Sequence, residues 1–215
     1  SESSSSDDDG FGPAPLAAEV KSKKRRRKLE FEAVFLEALP SAASYERSYM
    51  HRDNVTHVAV AAATGFILTA SSDGHVKLWK KMADDVEFVK HFHSHLGVIH
   101  ALAVSSDGQR ACTTASDRAL KFYDVQSYDM TLMVPLEYTP TACCFVGAPR
   151  GRGPPQSRVA VADEASPAVR VYSAVLPAPD GAPLAEFRIH SSPVLCLASH
   201  PPSGAVISAD TRGVL

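Results

Sequence analysis

A histidine, a threonine, an aspartate and an aromatic residue recur along this chain at the same spacings. His51 is followed by Thr69 after 18 residues, by Asp73 after 22 and by Trp79 after 28. His95 is followed by Thr113, Asp117 and Tyr123 at the same intervals, so each member of the second set lies 44 residues after its counterpart. His190 and Ser208 repeat the first interval. Such a period marks one small supersecondary unit that buries its apolar face by stacking on its neighbours. Each unit holds four short β-rich runs. The first has VTHVAVAA (55–62), GFILTAS (65–71), HVKLWK (75–80) and VEFVKHF (86–92). The second has VIHALAVS (98–105), QRACTTAS (109–116), ALKFYDV (119–125) and MTLMVPL (130–136). Turn residues such as Thr64-Gly65, Ser72-Asp73-Gly74 and Ala83-Asp84-Asp85 separate the runs. The expectation is an all-β fold with units at about 51–94, 95–137, 138–189 and 190–215, the last truncated. The third unit departs from the pattern: Tyr138 stands where histidine is expected, and GAPRGRGPPQS (147–157) separates its first two strands. In the fourth, Arg212 stands 22 residues after His190, where an aspartate belongs.

The N-terminal residues have another character. A net charge of −2 hides an acidic tip, with Glu2 and Asp7–Asp9, followed by the basic block Lys23, Lys24, Arg25, Arg26, Arg27 and Lys28. Residues 1–28 offer little to bury and are expected to be a disordered tail. The block suits a nuclear import receptor. It suits nucleic-acid phosphates less well, and with no interleaved aromatics base stacking is not indicated. Ser3–Ser6 ahead of Asp7–Asp9 fit an acidophilic kinase. Residues 29–50 read as a short helical lead-in. Phe31, Val34, Phe35, Ala38 and Leu39 share a face, Pro40 ends the helix, and Ser44 caps a second turn through Tyr45–Met50. Pieces this short are expected to pack on the β-rich region or on a partner. The chain has no apolar run of transmembrane length and no apolar segment behind a basic start, so neither a membrane partner nor a signal peptide is expected.

His95, Thr113 and Asp117 have the residue types of a nucleophile–base–acid set. A catalytic set needs one cleft, whereas this trio recurs in successive units, so no catalytic residue is assigned. His91, His93 and His95 lie on one face of an extended strand. A structural zinc site takes four ligands from converging elements, and His95 already belongs to the repeated set. No metal and no cofactor are therefore expected. Cys112, Cys143, Cys144 and Cys196 form no CxxC pair and sit in apolar runs, which reads as buried, reduced thiols. The glycines of 147–153 lack the lysine-serine ending of a phosphate loop and read as a solvated insertion.

The chain resembles the WD40 β-propeller family. His51, Thr69, Asp73 and Trp79 match that family's His–Thr–Asp–Trp structural tetrad, and His95, Thr113, Asp117 and Tyr123 match it with tyrosine in place of tryptophan. His190 and Ser208 match its first two members. The resemblance implies an incomplete propeller of about four of seven blades, open at an unpaired edge and not stable alone. Tyr45-Glu46-Arg47-Ser48-Tyr49-Met50-His51-Arg52-Asp53, SSDGHVKLWKK, VEFVKHFHSHLGVIHALAVSSDG and YDVQSYDM are similar to the WD-repeat cyclophilins, over roughly residues 28–215. That resemblance implies the WD40 segment of a nuclear peptidyl-prolyl cis–trans isomerase. Its partners would be the spliceosome and splicing machinery, or chromatin and histones. The cyclophilin domain itself has no counterpart in these 215 residues. The alternative is a non-enzymatic WD40 scaffold of another nuclear complex.

Overall fold

The computed structural model describes residues 31–38, 49–147, 158–175 and 181–215. The basic block 23–28, the serine-rich tip, most of the 147–157 insertion and residues 39–48 lie outside them. The chain divides into two units, Ser1–Arg47 and Ser48–Leu215. In the first, α1 spans Glu32–Ala38 with Glu32 in its first turn, where a carboxylate complements the helix dipole. Of the second helical turn expected over 45–50, only Tyr49 and Met50 are described, and neither is helical. Tyr49 instead stacks on Phe88 at 4.4 Å, and the carbonyls of Tyr49 and Met50 accept hydrogen bonds from Lys77 Nζ. An ammonium group with two carbonyl partners draws both carbonyls to one point on β3.

The second unit is all-β. Its first sheet holds β1 (Val55–Ala61), β2 (Phe66–Ser71), β3 (His75–Lys81) and β4 (Val86–His93), in that order. The second holds β5 (Ile99–Val104), β6 (Arg110–Ala115), β7 (Ala119–Asp124) and β8 (Asp129–Pro135). The third holds β9 (Pro140–Val146), β10 (Arg158–Asp163), β11 (Val169–Ser173) and β12 (Ala185–Phe187). The fourth pairs β13 (Val194–His200) with β14 (Ala205–Asp210). Every pairing is antiparallel, and successive sheets meet along β1, β5, β9 and β13.

The sheets stack because each presents apolar side chains to the next. Phe66, Leu68 and Leu78 of the first sheet bury against Ala111 and Tyr123 of the second. Cys112, Leu120 and Phe122 of the second meet Cys143, Phe145, Val159 and Tyr172 of the third. Cys144, Ala160 and Ala162 of the third meet Val194 and Leu197 of the fourth. The two-stranded fourth sheet leaves part of the third uncovered. An apolar cleft of about 270 Å³ remains there, bordered by Val169, Val171, Phe187, Ile189 and Val206. At the other end Val58 and Val60 of β1 are exposed. This is the architecture of an incomplete WD40 propeller.

Each inner strand carries a bulge or register shift near its start, at Val55/His57, Ile99/Ala101, Val194/Cys196 and in the β9–β10 ladder near Pro140. Bulges re-aim side chains. His100, inside one, donates from Nδ1 to the Pro140 carbonyl of the next sheet at 2.7 Å. The Thr141 hydroxyl reaches the Val194 carbonyl at 3.0 Å in the same way.

Candidate functional site

The repeated residues meet in chains of hydrogen bonds, and each sheet closes its chain differently. The second sheet is complete. Tyr123 donates to Thr113 Oγ1 at 3.2 Å, the Thr113 hydroxyl donates to His95 Nε2 at 2.8 Å, and His95 Nδ1–H donates to Asp117 at 3.0 Å. This sequence of donors requires a neutral imidazole. Burial, which outweighs the neighbouring Asp117, holds the His95 pKa below its ordinary value and keeps it neutral. In the first sheet Trp79 Nε1–H donates to Thr69 at 2.9 Å, and Thr69 donates to His51 Nε2 at 2.7 Å. There the chain stops. His51 Nδ1 is buried without a partner, because Asp73 accepts from the Ser71 hydroxyl, the His75 backbone N–H and the His75 ring.

The fourth sheet supplies an aspartate that residue counting misses. His190 Nε2 accepts from Ser208 at 2.7 Å, and its Nδ1 faces the Asp210 carboxylate at 3.5 Å. Asp210 is a further acceptor for the Ser192 hydroxyl and the backbone N–H groups of Arg212 and Val214. Those bonds bring its pKa below the usual carboxylate value against the opposing effect of burial. Arg212, at the counted position, takes no part as a side chain.

The third sheet replaces the tetrad. Val161 pairs with Arg170 in register, as Thr113 pairs with Lys121, so an alkyl group stands where the hydroxyl would be. Arg170 lies over the Tyr138 ring at 4.3 Å and forms ion pairs with Asp163 at 2.9 Å and Glu186 at 3.1 Å. Tyr138 and Tyr172 share a hydroxyl contact of 3.1 Å. Burial raises both tyrosine pKa values. A cleft of about 550 Å³ opens here, with Glu137, Tyr138, Arg170, Tyr172 and Glu186 in its lining. It offers carboxylates, phenols and a neutralised guanidinium, which suits a peptide segment carrying donors rather than a free anion. Neither Arg170 nor Glu186 was marked by the repeat spacing, because both follow the insertion that breaks it.

The histidine cluster also differs from the sequence expectation. His95 points into its tetrad, and His75 from β3 takes its place beside His91 and His93 of β4. His75 lies directly opposite His93 in the ladder, so the signal was in the hairpin register rather than in the linear run. Burial is the main cause holding the His91 pKa low. All four cysteines are free thiols. Cys112, Cys143 and Cys144 are buried, with Cys144 pushed up to about 12 by burial, but Cys196 is exposed, contrary to the reading that all four are inside. It lies on β13, at the register shift near the start of the two-stranded fourth sheet.

The WD domain, G-beta repeat, matches residues 44–80 and 86–124. The chain is 45% identical over 202 residues to human peptidylprolyl isomerase domain and WD repeat-containing protein 1, covering 94% of this chain and 30% of that protein. It is 45% identical over 206 residues to peptidyl-prolyl cis-trans isomerase CYP71 of Arabidopsis thaliana, covering 96% of this chain and 31% of the relative. This chain carries WD40 repeats and is homologous to the WD-repeat peptidyl-prolyl isomerases. Peptidyl-prolyl cis-trans isomerase cyp15 of Rhizopus delemar is 37% identical over 211 residues, or 97% of this chain and 32% of that protein. The chain thus spans about a third of the length of these relatives. WD40 repeats, with their loops displayed between the strands, make this region a protein-interaction module.

Proposed function

We propose that these blades are the targeting module of a nuclear peptidyl-prolyl cis–trans isomerase of the cyclophilin type, recruiting it to the spliceosome or to chromatin. The observation that carries the reading is the 45% identity over 94% of the chain to a protein named for both an isomerase domain and WD repeats. An isomerase lowers the barrier to X-Pro rotation, which is about 18–20 kcal/mol uncatalysed. That chemistry is proposed for the whole protein and not for the tetrads, whose hydroxyls and imidazoles are consumed in bonds between strands. The basic block Lys23–Lys28 supports nuclear entry through an import receptor.

Crosslinking mass spectrometry of the full-length protein in nuclear extract tests the recruitment. Crosslinks from residues 49–215 to splicing factors or histones are expected, and crosslinks confined to nuclear proteins outside both assemblies would overturn it. Replacing Lys23–Lys28 with alanine is expected to abolish nuclear accumulation of a tagged full-length protein. Unchanged accumulation would remove the import reading. A proline-isomerisation assay on residues 1–215 is expected to show no acceleration.

A further inference from the structure

We propose that His75, His91 and His93 form a binding site for a divalent transition-metal ion of the zinc class on the outer strands of the first sheet. Their candidate ligand atoms all lie within 4.8 Å of one another. Around a tetrahedral zinc with N–Zn distances of 2.0–2.1 Å, two nitrogens stand about 3.4 Å apart, so side-chain rotation by roughly an ångström closes the set. The backbone already places them. His91 and His93 alternate onto the same face of β4, and His75 is the direct cross-strand partner of His93 on β3. The three rings contact pairwise, with centroids 4.4, 4.5 and 4.8 Å apart.

Three details point to a ligand rather than to packing. His91 Nε2 is buried and has no hydrogen-bond partner, an unmet polar atom that a metal would satisfy. The Asp73 carboxylate lies 3.3 Å from His75 Nδ1, the carboxylate–histidine arrangement that fixes a ring and leaves Nε2 for a metal. Asp73 does this at the expense of His51, whose own Nδ1 goes without a partner. Finally, the fold does not need histidine here. At the same register positions the second sheet carries Ala119, Met133 and Pro135. His93 is exposed, so a fourth position stays open to water or to a partner's side chain.

The test is competition of Zn²⁺ between a chromophoric chelator and the full-length protein, previously stripped of metal. About one equivalent per chain is expected. The double variant His75→Ala with His91→Met, which installs the second sheet's own residues, is expected to lose at least about tenfold in affinity, and Asp73→Asn to lose about 10–100-fold. Undiminished binding in the double variant, or no saturable binding by the unaltered protein, would overturn the proposal. Should a variant fail to fold, as read from its circular dichroism, imidazole NMR of the unaltered protein decides. Zn²⁺-dependent shifts confined to His75, His91 and His93 support the site, and shifts at His57 or His200, or none, refute it.

Discussion

Thr113 holds the second sheet's chain together by using its hydroxyl twice, as acceptor from Tyr123 and as donor to His95. Thr113→Val keeps the shape and removes both bonds, leaving two buried polar groups unmet. A loss of about 1–3 kcal/mol is expected in urea unfolding. Thr69→Val should cost less, because Thr69 is only partly buried and the chain it belongs to is already open at His51 Nδ1. Equal losses would show that the closed chain adds nothing. Protonation opposes burial at these histidines and at His57. The pKa values of His51, His57 and His95 are all held below the ordinary 6.5, chiefly by burial. The unfolded chain therefore binds protons that the folded one refuses as pH falls below 6.5. Stability is expected to be fully present above that pH and to decline below it, in denaturant titrations with chelator present. A flat profile between pH 7 and 5 would contradict these directions.

Among the elements, the turn between β2 and β3 is the most constrained. Gly74 has φ +82°, and a Cβ there would sit 2.9 Å from the Gly97 carbonyl oxygen and closer still to that of His95. Arg118 occupies the same place in the next turn with φ 58°. Gly74→Ala is expected to cost about 1–3 kcal/mol, whereas Arg118→Gly should be neutral or stabilising, both by thermal unfolding. The strands themselves were legible in the sequence, because a period-2 pattern bounded by Asp-Gly turns leaves little choice of boundary. The second sheet's tetrad, and the His51–Thr69–Trp79 part of the first, were legible because their intervals survive any choice of strand ends; the expected His51–Asp73 contact is not made. What interval counting could not show is geometry that depends on the turn. Asp210 ends β14 and reaches His190 from 20 residues away, while Asp73 lies two residues beyond the end of β2. Arg170 was hidden for a related reason, since Val161 removes the hydroxyl by which that position is recognised. His75 needed cross-strand register, which a linear run of histidines does not display.

At the scale of the molecule, the interior sheets cover one another and the outer ones do not. Thiol chemistry reads this directly. Cys112 and Cys143 lie 3.8 Å apart in the core between the second and third sheets, and burial raises the Cys112 pKa well above its ordinary value. Cys196 sits on the open fourth sheet. In the 215-residue chain one thiol of the four, Cys196, is expected to react with an aromatic disulfide reagent, and the other three only on unfolding. Rapid labelling of Cys112 or Cys143 would mean that the sheets part readily.

His95 belongs to two sheets at once. Its backbone N–H extends the β3–β4 ladder by bonding the Gly74 carbonyl at 3.0 Å, while its side chain closes the tetrad of the sheet that follows. Leu136 N–H does the same to the Arg118 carbonyl at 2.7 Å, two residues before Tyr138 enters the third sheet. The cooperative unit is consequently not a blade. Opening the second sheet frees the last rung of the first, and opening the first removes the anchor of the second's histidine. Amide exchange at His95 should then follow whichever of the two sheets opens more readily, and a fault introduced at Gly74 would register as lost protection around Thr113, one sheet away.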